Sequence, residues 1–123
     1  MDCLFCKIIK GEIPSKTLYE NDYVKVIMDI NPNSNGHVLV IPKEHYTDFM
    51  EMDNTTLGHI NDAAKYIKEI QYKALNPDGL LLHVNYGMTQ IVKHYHLHLI
   101  PVYKEKQEIK NVDEVYNILL NNK

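Results

Sequence analysis

Apolar and polar residues change rhythm several times along this chain, and each rhythm predicts an element. The sharpest is His94-Tyr95-His96-Leu97-His98-Leu99-Ile100, in which histidines alternate with apolar residues at a strict period of two. In an extended strand that period sends three imidazoles to one face and Tyr95, Leu97 and Leu99 to the other. The strand predicted here spans residues 94–103, with regular pairing weakened at Pro101, which has no amide donor. Stretches rich in β-formers predict strands over 17–20 and 23–29, joined by a tight Asn21-Asp22 turn. His37-Val38-Leu39-Val40-Ile41-Pro42 is almost continuously apolar, the pattern of a central strand buried on both faces. A further strand is predicted over 80–85.

Helical periodicity takes over in the middle of the chain. Leu57, Ile60, Ala64, Ile67 and Ile70 recur at three or four residues and form one stripe of a long helix. Asp53 or Asn54 caps its start, and Asn76-Pro77-Asp78-Gly79 ends it near Leu75. Residues 3–11 read as a short opening segment with Gly11 as a helix stop. A short terminal helix is predicted over 112–120, with Val112, Val115, Tyr116 and Leu119 on one side. Strands, then a helix, then strands predict an α+β fold with a five-stranded, largely antiparallel sheet. Neither a repeat nor a linker interrupts the 123 residues, which read as a single domain with a core over about 3–103 and a tail over 104–123.

Composition narrows the partners. Apolar residues make up 45% and charged residues 24%, ordinary for a soluble protein. The net charge is −3 and the lysines are dispersed, so nucleic acid is not an expected partner. No apolar run approaches the roughly 18 residues that span a bilayer, so no membrane is expected either. The start, Met1-Asp2-Cys3, has no basic or apolar signal region, and two cysteines suit a reducing cytosol, so a cytoplasmic location is expected. All 13 basic residues are lysine. Any phosphate must therefore be held by backbone N–H groups, lysine or histidine rather than by guanidinium forks.

The candidate chemistry starts with the histidines. From His94 to His98 the strand covers about 13 Å at roughly 3.3 Å per residue, so no one atom is reached by all three rings without a bend. Division of labour is expected. Imidazole titrates near neutrality and also ligates metals, so nucleophilic, acid–base and metal roles all suit this face. Cys3-x-x-Cys6 is either half of a tetrahedral zinc site or a pair of reduced, partly buried thiols. Taken alone, Asp29 closes a turn before Pro32, His37 is a buried histidine satisfied by backbone, and Phe5, Ile8, Ile27 and Ile30 are core.

His94-Tyr95-His96-Leu97-His98-Leu99-Ile100 resembles the H-φ-H-φ-H-φ-φ signature of the histidine-triad (HIT) nucleotide-binding family. Three other stretches resemble it in the right order: the opening Cys3 to Pro14, the Met28-Asp29-Ile30-Asn31-Pro32 segment, and the Gly36 to His45 strand. The likeness is strongest to the Hint-like branch and to its bacterial-type C-x-x-C members. It implies a HIT-like fold and a hydrolase or transferase acting on purine nucleoside monophosphate conjugates such as phosphoramidates. His96 would be the nucleophile, forming a nucleotidyl-histidine. His98 would stand at the phosphate and leaving group, and His37 would support the triad from the neighbouring strand. Asp29 would bind the ribose hydroxyls, Phe5, Ile8, Ile27 and Ile30 would enclose the base, and Asn85, Gln90 and Ile91 would approach the phosphate. Cys3, Cys6, His45 and His94 would hold a structural zinc. The family pairs as homodimers, here through the long helix and residues 80–85.

The chain departs from the pattern in one place. Only Met88-Thr89 separate Gly87 from Gln90, where four residues are usual, and Ile91 stands where a serine is common. Val102 follows Pro101 where many relatives have arginine. Two alternatives stand beside the leading reading: a dinucleoside polyphosphate hydrolase, the nearest enzyme branch, against which the Ile41-Pro42-Lys43 strand and the C-x-x-C start speak, and a weakly active nucleotide-binding scaffold, which the altered Gly87–Gln90 connection keeps open.

Overall fold

The computed structural model describes residues 3–123; the Met1-Asp2 start, where a missing secretory signal was read, lies outside the described residues. The elements are α1 (Leu4–Ile9), β1 (Thr17–Glu20), β2 (Val24–Met28), β3 (Val38–Pro42), α2 (Asn54–Leu75), β4 (Gly79–His83), β5 (Leu97–Val102) and α3 (Val112–Leu120). A single 3₁₀ turn over Gly87–Thr89 lies between β4 and β5. The five strands form one antiparallel sheet in the order β1-β2-β3-β5-β4.

Alternation along β2 and β3 builds two apolar layers. Val24, Val26, Met28, Val38 and Val40 face α2 and α3, and meet Ile60, Ile67, Ile70, Val115 and Leu119. Ile27, Leu39 and Ile41 face the other way, onto Cys3, Phe5 and Ile8 of the opening segment. β3 is buried along its whole length, as its unbroken apolar run requires. Among the described residues, no helix is long and apolar enough to cross a membrane.

Local signals explain the helix ends. Asp53 accepts the Thr56 amide at 2.8 Å, and Asn76 closes α2 in a left-handed conformation at φ 47°. Gly36 sits at φ 92°, where a Cβ would run into the Leu75 side chain. Leu57 was expected on the buried stripe but is 40% exposed. It lies in the first turn of α2, on the rim of a cavity shared with Phe49 and Met52.

The histidine strand is shorter than expected. β5 begins at Leu97, not His94. The register pairs Val40 with Leu97, so the next pair on the same α2-side face would set Pro42 opposite Tyr95. Pro42 has no N–H to give, and the ladder stops there. The Tyr95 amide turns to the Tyr46 carbonyl instead, at 2.7 Å. Pro101, by contrast, remains paired with Leu80. Its carbonyl accepts from Ser34 on the edge facing β3, beyond the last β3–β5 pair at Val38 and Leu99. The amide nitrogen of a strand residue points to the same edge as its carbonyl, so the missing donor costs no ladder bond. Alternation survives the early end of the ladder: Tyr95, Leu97 and Leu99 all join the α2-side layer.

Candidate active site

The three histidines leave the α2 side free and turn toward α1, where they divide into two groups. His94 is fully buried and joins Cys3, Cys6 and His45; one ligating atom from each residue lies within 4.8 Å of all the others. Its Nδ1 is 3.4 Å from Cys3 Sγ, 3.5 Å from Cys6 Sγ and 3.1 Å from His45 Nδ1. Cys6 Sγ is 3.3 Å from His45 Nδ1. A tetrahedral zinc with bonds of about 2.3 Å to sulfur and 2.0–2.1 Å to nitrogen sets its ligand atoms roughly 3.3–3.8 Å apart. The spacing therefore fits such an ion.

Tautomer chemistry agrees. His94 Nε2 is 2.9 Å from the Pro42 carbonyl, which can only accept, so the proton sits on Nε2 and Nδ1 presents a lone pair to the cluster. Burial and the neighbouring Cys3 push the Cys6 thiol up, so a thiolate pair here calls for a positive charge, which a divalent metal supplies.

His96 and His98 form the second group, their ring centroids 4.9 Å apart. His96 Nδ1 is 2.8 Å from the His94 carbonyl, so Nδ1 donates and Nε2 is left with its lone pair. Phe5 packs edge-on against this ring at 4.9 Å. Behind His98 stands His37, whose Nδ1 accepts the Asn33 amide at 3.1 Å. His37 Nε2 must therefore carry the proton in the neutral ring. It donates across 2.9 Å to His98 Nδ1, with Asp29 Oδ2 a longer 3.4 Å away. His98 is then protonated on Nε2, which is buried and has no partner among the described residues.

Asp29, His37 and His98 also lie close enough to resemble a metal cluster. The Asn33 amide argues against that use, because it forces the proton onto the nitrogen that would have to ligate.

Burial keeps these rings neutral. Loss of solvent lowers His96 and His37, the Asp29 carboxylate opposing it in both. His98 is lowered to about 4, first by burial and then by the adjoining His96 and His37. At neutral pH the pair thus offers one bare nitrogen and one N–H.

Both rings open on a cavity of about 420 Å³. Of the residues expected at a nucleotide site, Phe5, Ile8, Ile27, Asp29, Ile30, Asn85, Ile91, His96 and His98 all line it. Ile30 and Ile91 stand at its rim, 74% and 91% exposed. His37 lies behind the lining. Gln90 is turned away: its side-chain amide donates to the Thr47 carbonyl at 2.6 Å and the residue is buried, so it does not reach the cavity. Leu4, Lys16, Leu39, Thr89 and Val92 line the cavity without having been singled out from the sequence. Leu39 had a signal, since it alternates with the α2-facing positions of β3. Lys16 had none, and its ammonium pairs with Asp113 at the start of α3.

The HIT domain model matches residues 10–105. An uncharacterized HIT-like protein of Methanocaldococcus jannaschii is 42% identical over 118 residues, covering 94% of this chain and 91% of its own. The adenosine 5'-monophosphoramidase of Schizosaccharomyces pombe is 39% identical over 103 residues, covering 82% of this chain and 74% of its own. Among solved structures, a zinc-bound histidine triad family protein of Mycobacterium smegmatis superposes with a TM-score of 0.90 at 29% identity, over 99% of this chain and 93% of that one.

Proposed function

The chain belongs to the HIT domain family, and from that premise we propose that it is a nucleotidyl hydrolase cleaving purine nucleoside monophosphate conjugates at the α-phosphorus. The observation that carries this reading is the 2.8 Å contact from His96 Nδ1 to the His94 carbonyl. It leaves a neutral Nε2 lone pair on a largely buried ring at the cavity, which is what a nucleophilic imidazole needs.

His96 Nε2 attacks phosphorus, a P–N bond forms, and the bond to the leaving group breaks with its electron pair. For an amine conjugate the departing nitrogen takes its proton from solvent water at the open side of the cavity. Water then cleaves the nucleotidyl-histidine and restores the ring. The unpartnered His98 Nε2–H is a neutral donor for a phosphoryl oxygen, where negative charge builds in the transition state. With a pKa of about 4, His98 is not an imidazolium acid at neutral pH. Asp29, at the cavity wall, is placed to accept the ribose hydroxyls, with Phe5, Ile8 and Ile27 against the base.

Cys3, Cys6, His45 and His94 would hold zinc, which supplies a structural cross-link between the start of α1 and the residues before β5. A reducing, cytoplasmic setting keeps both thiols available. Two copies would pair through α2 and β4, whose Leu81 and Leu82 are 49% and 57% exposed on an edge strand; light scattering at micromolar concentration tests that.

The test of the chemistry is release of tryptamine from its adenosine 5'-phosphoramidate. Wild type should turn it over, and His96→Asn should lose activity by at least about 10³-fold while still binding AMP by calorimetry. Equal rates for the two proteins would sink the proposal.

A further inference from the structure

One buried polar residue stands apart from the triad. Gln71 continues the apolar stripe of α2, following Ile60, Ala64 and Ile67 at the stripe's own spacing, and it is fully buried. Its Nε2 donates to the Gly36 carbonyl at 3.0 Å and to the Leu99 carbonyl at 3.3 Å. Both partners can only accept, so the nitrogen must face them. The other end of the amide, Oε1, is left buried and without a partner among the described residues. A buried carbonyl without a donor costs stability, and a methionine or leucine on this stripe would not carry that cost. Where a core keeps a polar group at a cost, the reason lies in the site it serves rather than in packing.

The two carbonyls identify that site. Gly36 precedes His37, and Leu99 follows His98. His98 sits inside β5 and is held by the ladder, whereas β3 begins only at Val38, so His37 lies beyond the last β3–β5 pair. The 2.9 Å bond between the two rings thus joins a residue of the ladder to one outside it. Ser34 and Tyr103 fasten the same loop further along, at the Pro101 and Asn35 carbonyls. The Gln71 amide is the tie that adjoins both histidines. One nitrogen bound to both carbonyls fixes the approach to β3 against β5 where the rings meet. Hydrogen bonds of this length weaken beyond about 3.2 Å, so a small displacement of either carbonyl would loosen the ring contact.

We propose that Gln71 is a positioning residue for the histidine pair: by holding the Gly36 and Leu99 carbonyls it sets the distance at which His37 donates to His98, and so keeps the His98 proton on Nε2. That proton is the donor offered to the phosphoryl oxygen. The consequence for rate therefore rests on the hydrolase reading, while the consequence for the rings does not.

The experiment uses Gln71→Met, which keeps the side chain's length and removes both the donor and the orphaned acceptor, with Gln71→Leu as a second variant. Loss of the two contacts and relief of the unpaired carbonyl oppose each other, so the urea midpoint of Gln71→Met should stay within about 0.5 M of wild type. Proton–nitrogen NMR correlations of the imidazole rings report which nitrogen carries the proton. Wild type should show His37 and His98 protonated on Nε2, and Gln71→Met should move His98 to a mixture of its two neutral tautomers. With the tryptamine phosphoramidate of adenosine, kcat should fall about tenfold at nearly unchanged KM. Ile60→Val, a core change on the same helix, should lower the urea midpoint by about 0.5 M and leave tautomer and kcat as in wild type. An unchanged His98 tautomer with unchanged kcat in Gln71→Met overturns the proposal. Failure of both variants to fold overturns it too, since relief of the buried carbonyl predicts stable proteins. A tautomer shift in Gln71→Met, with no turnover even by wild type, supports the positioning role and overturns the hydrolase reading instead.

Discussion

Acidification should destabilise this fold through His98 by an amount the structure allows to be worked out. The ring is neutral when folded, with a pKa lowered from 6.5 to about 4, chiefly by burial. In the unfolded chain it titrates at its ordinary value. A depressed folded pKa means that the unfolded state binds more protons below pH 6.5. The stability present above that value is therefore lost as pH falls, and the loss levels off below about pH 4. The full shift corresponds to about 3 kcal/mol, and by pH 5 about 2 kcal/mol of it has gone. The perturbation that isolates this term is His98→Asn, which removes the titrating group and keeps a side chain that can donate to the cavity. Urea unfolding of both proteins at pH 7 and pH 5 gives the double difference, in which contributions from His37, His94, His96 and the cysteine cluster cancel to first order. The variant should lose about 2 kcal/mol less than wild type between the two pH values. Identical losses would mean that His98 is not buried neutral, and the argument for a neutral Nε2–H donor would fall with it.

Three further outcomes follow from the same geometry. His37→Phe keeps a ring in the buried slot but removes the donor to His98 Nδ1, so His98 is free to take the other tautomer; kcat should fall about 10- to 100-fold with KM little changed in steady-state assays. Purified protein should carry about one zinc per chain by native mass spectrometry, and Cys6→Ser should lose it and lower Tm by several degrees, whatever the activity. Gly36→Ala forces a side chain into a φ of 92° and against Leu75, so urea unfolding should show a loss of about 2 kcal/mol.

Elements whose residues all obey one local period were legible in the sequence. α2 runs from Asn54 to Leu75 behind an Asp53 cap, and β3 is buried on both faces, as their patterns require. Features decided by a distant residue were not. The true start of β5 depends on Pro42, more than fifty positions earlier, standing where an amide donor was needed. Gln90 turns from the cavity because the Thr47 carbonyl takes its amide, and no spacing around Gln90 announces that. Leu57 fits the helical stripe but lies in the first turn and is 40% exposed. The site shows the same division. Alternation put His94, His96 and His98 on one side of the backbone, but the tautomers of His94 and His98 come from Pro42 and His37, which are contacts across the fold.

Those contacts also explain why three similar histidines perform dissimilar tasks. Pro42 ends the β3–β5 ladder, and the carbonyl it would have used for Tyr95 takes the His94 ring instead. That bond turns Nδ1 of His94 onto the cysteines, while the carbonyl of the same residue holds Nδ1 of His96. Whatever fixes the His94 ring thus also limits where the His96 nucleophile can point. His98 lies two residues further on, inside the ladder, where its partner comes from His37 on β3's approach rather than from the cysteine cluster. The place where the strand stops pairing is therefore the boundary between metal-ligand geometry and phosphate chemistry, and a single proline on the neighbouring strand sets it.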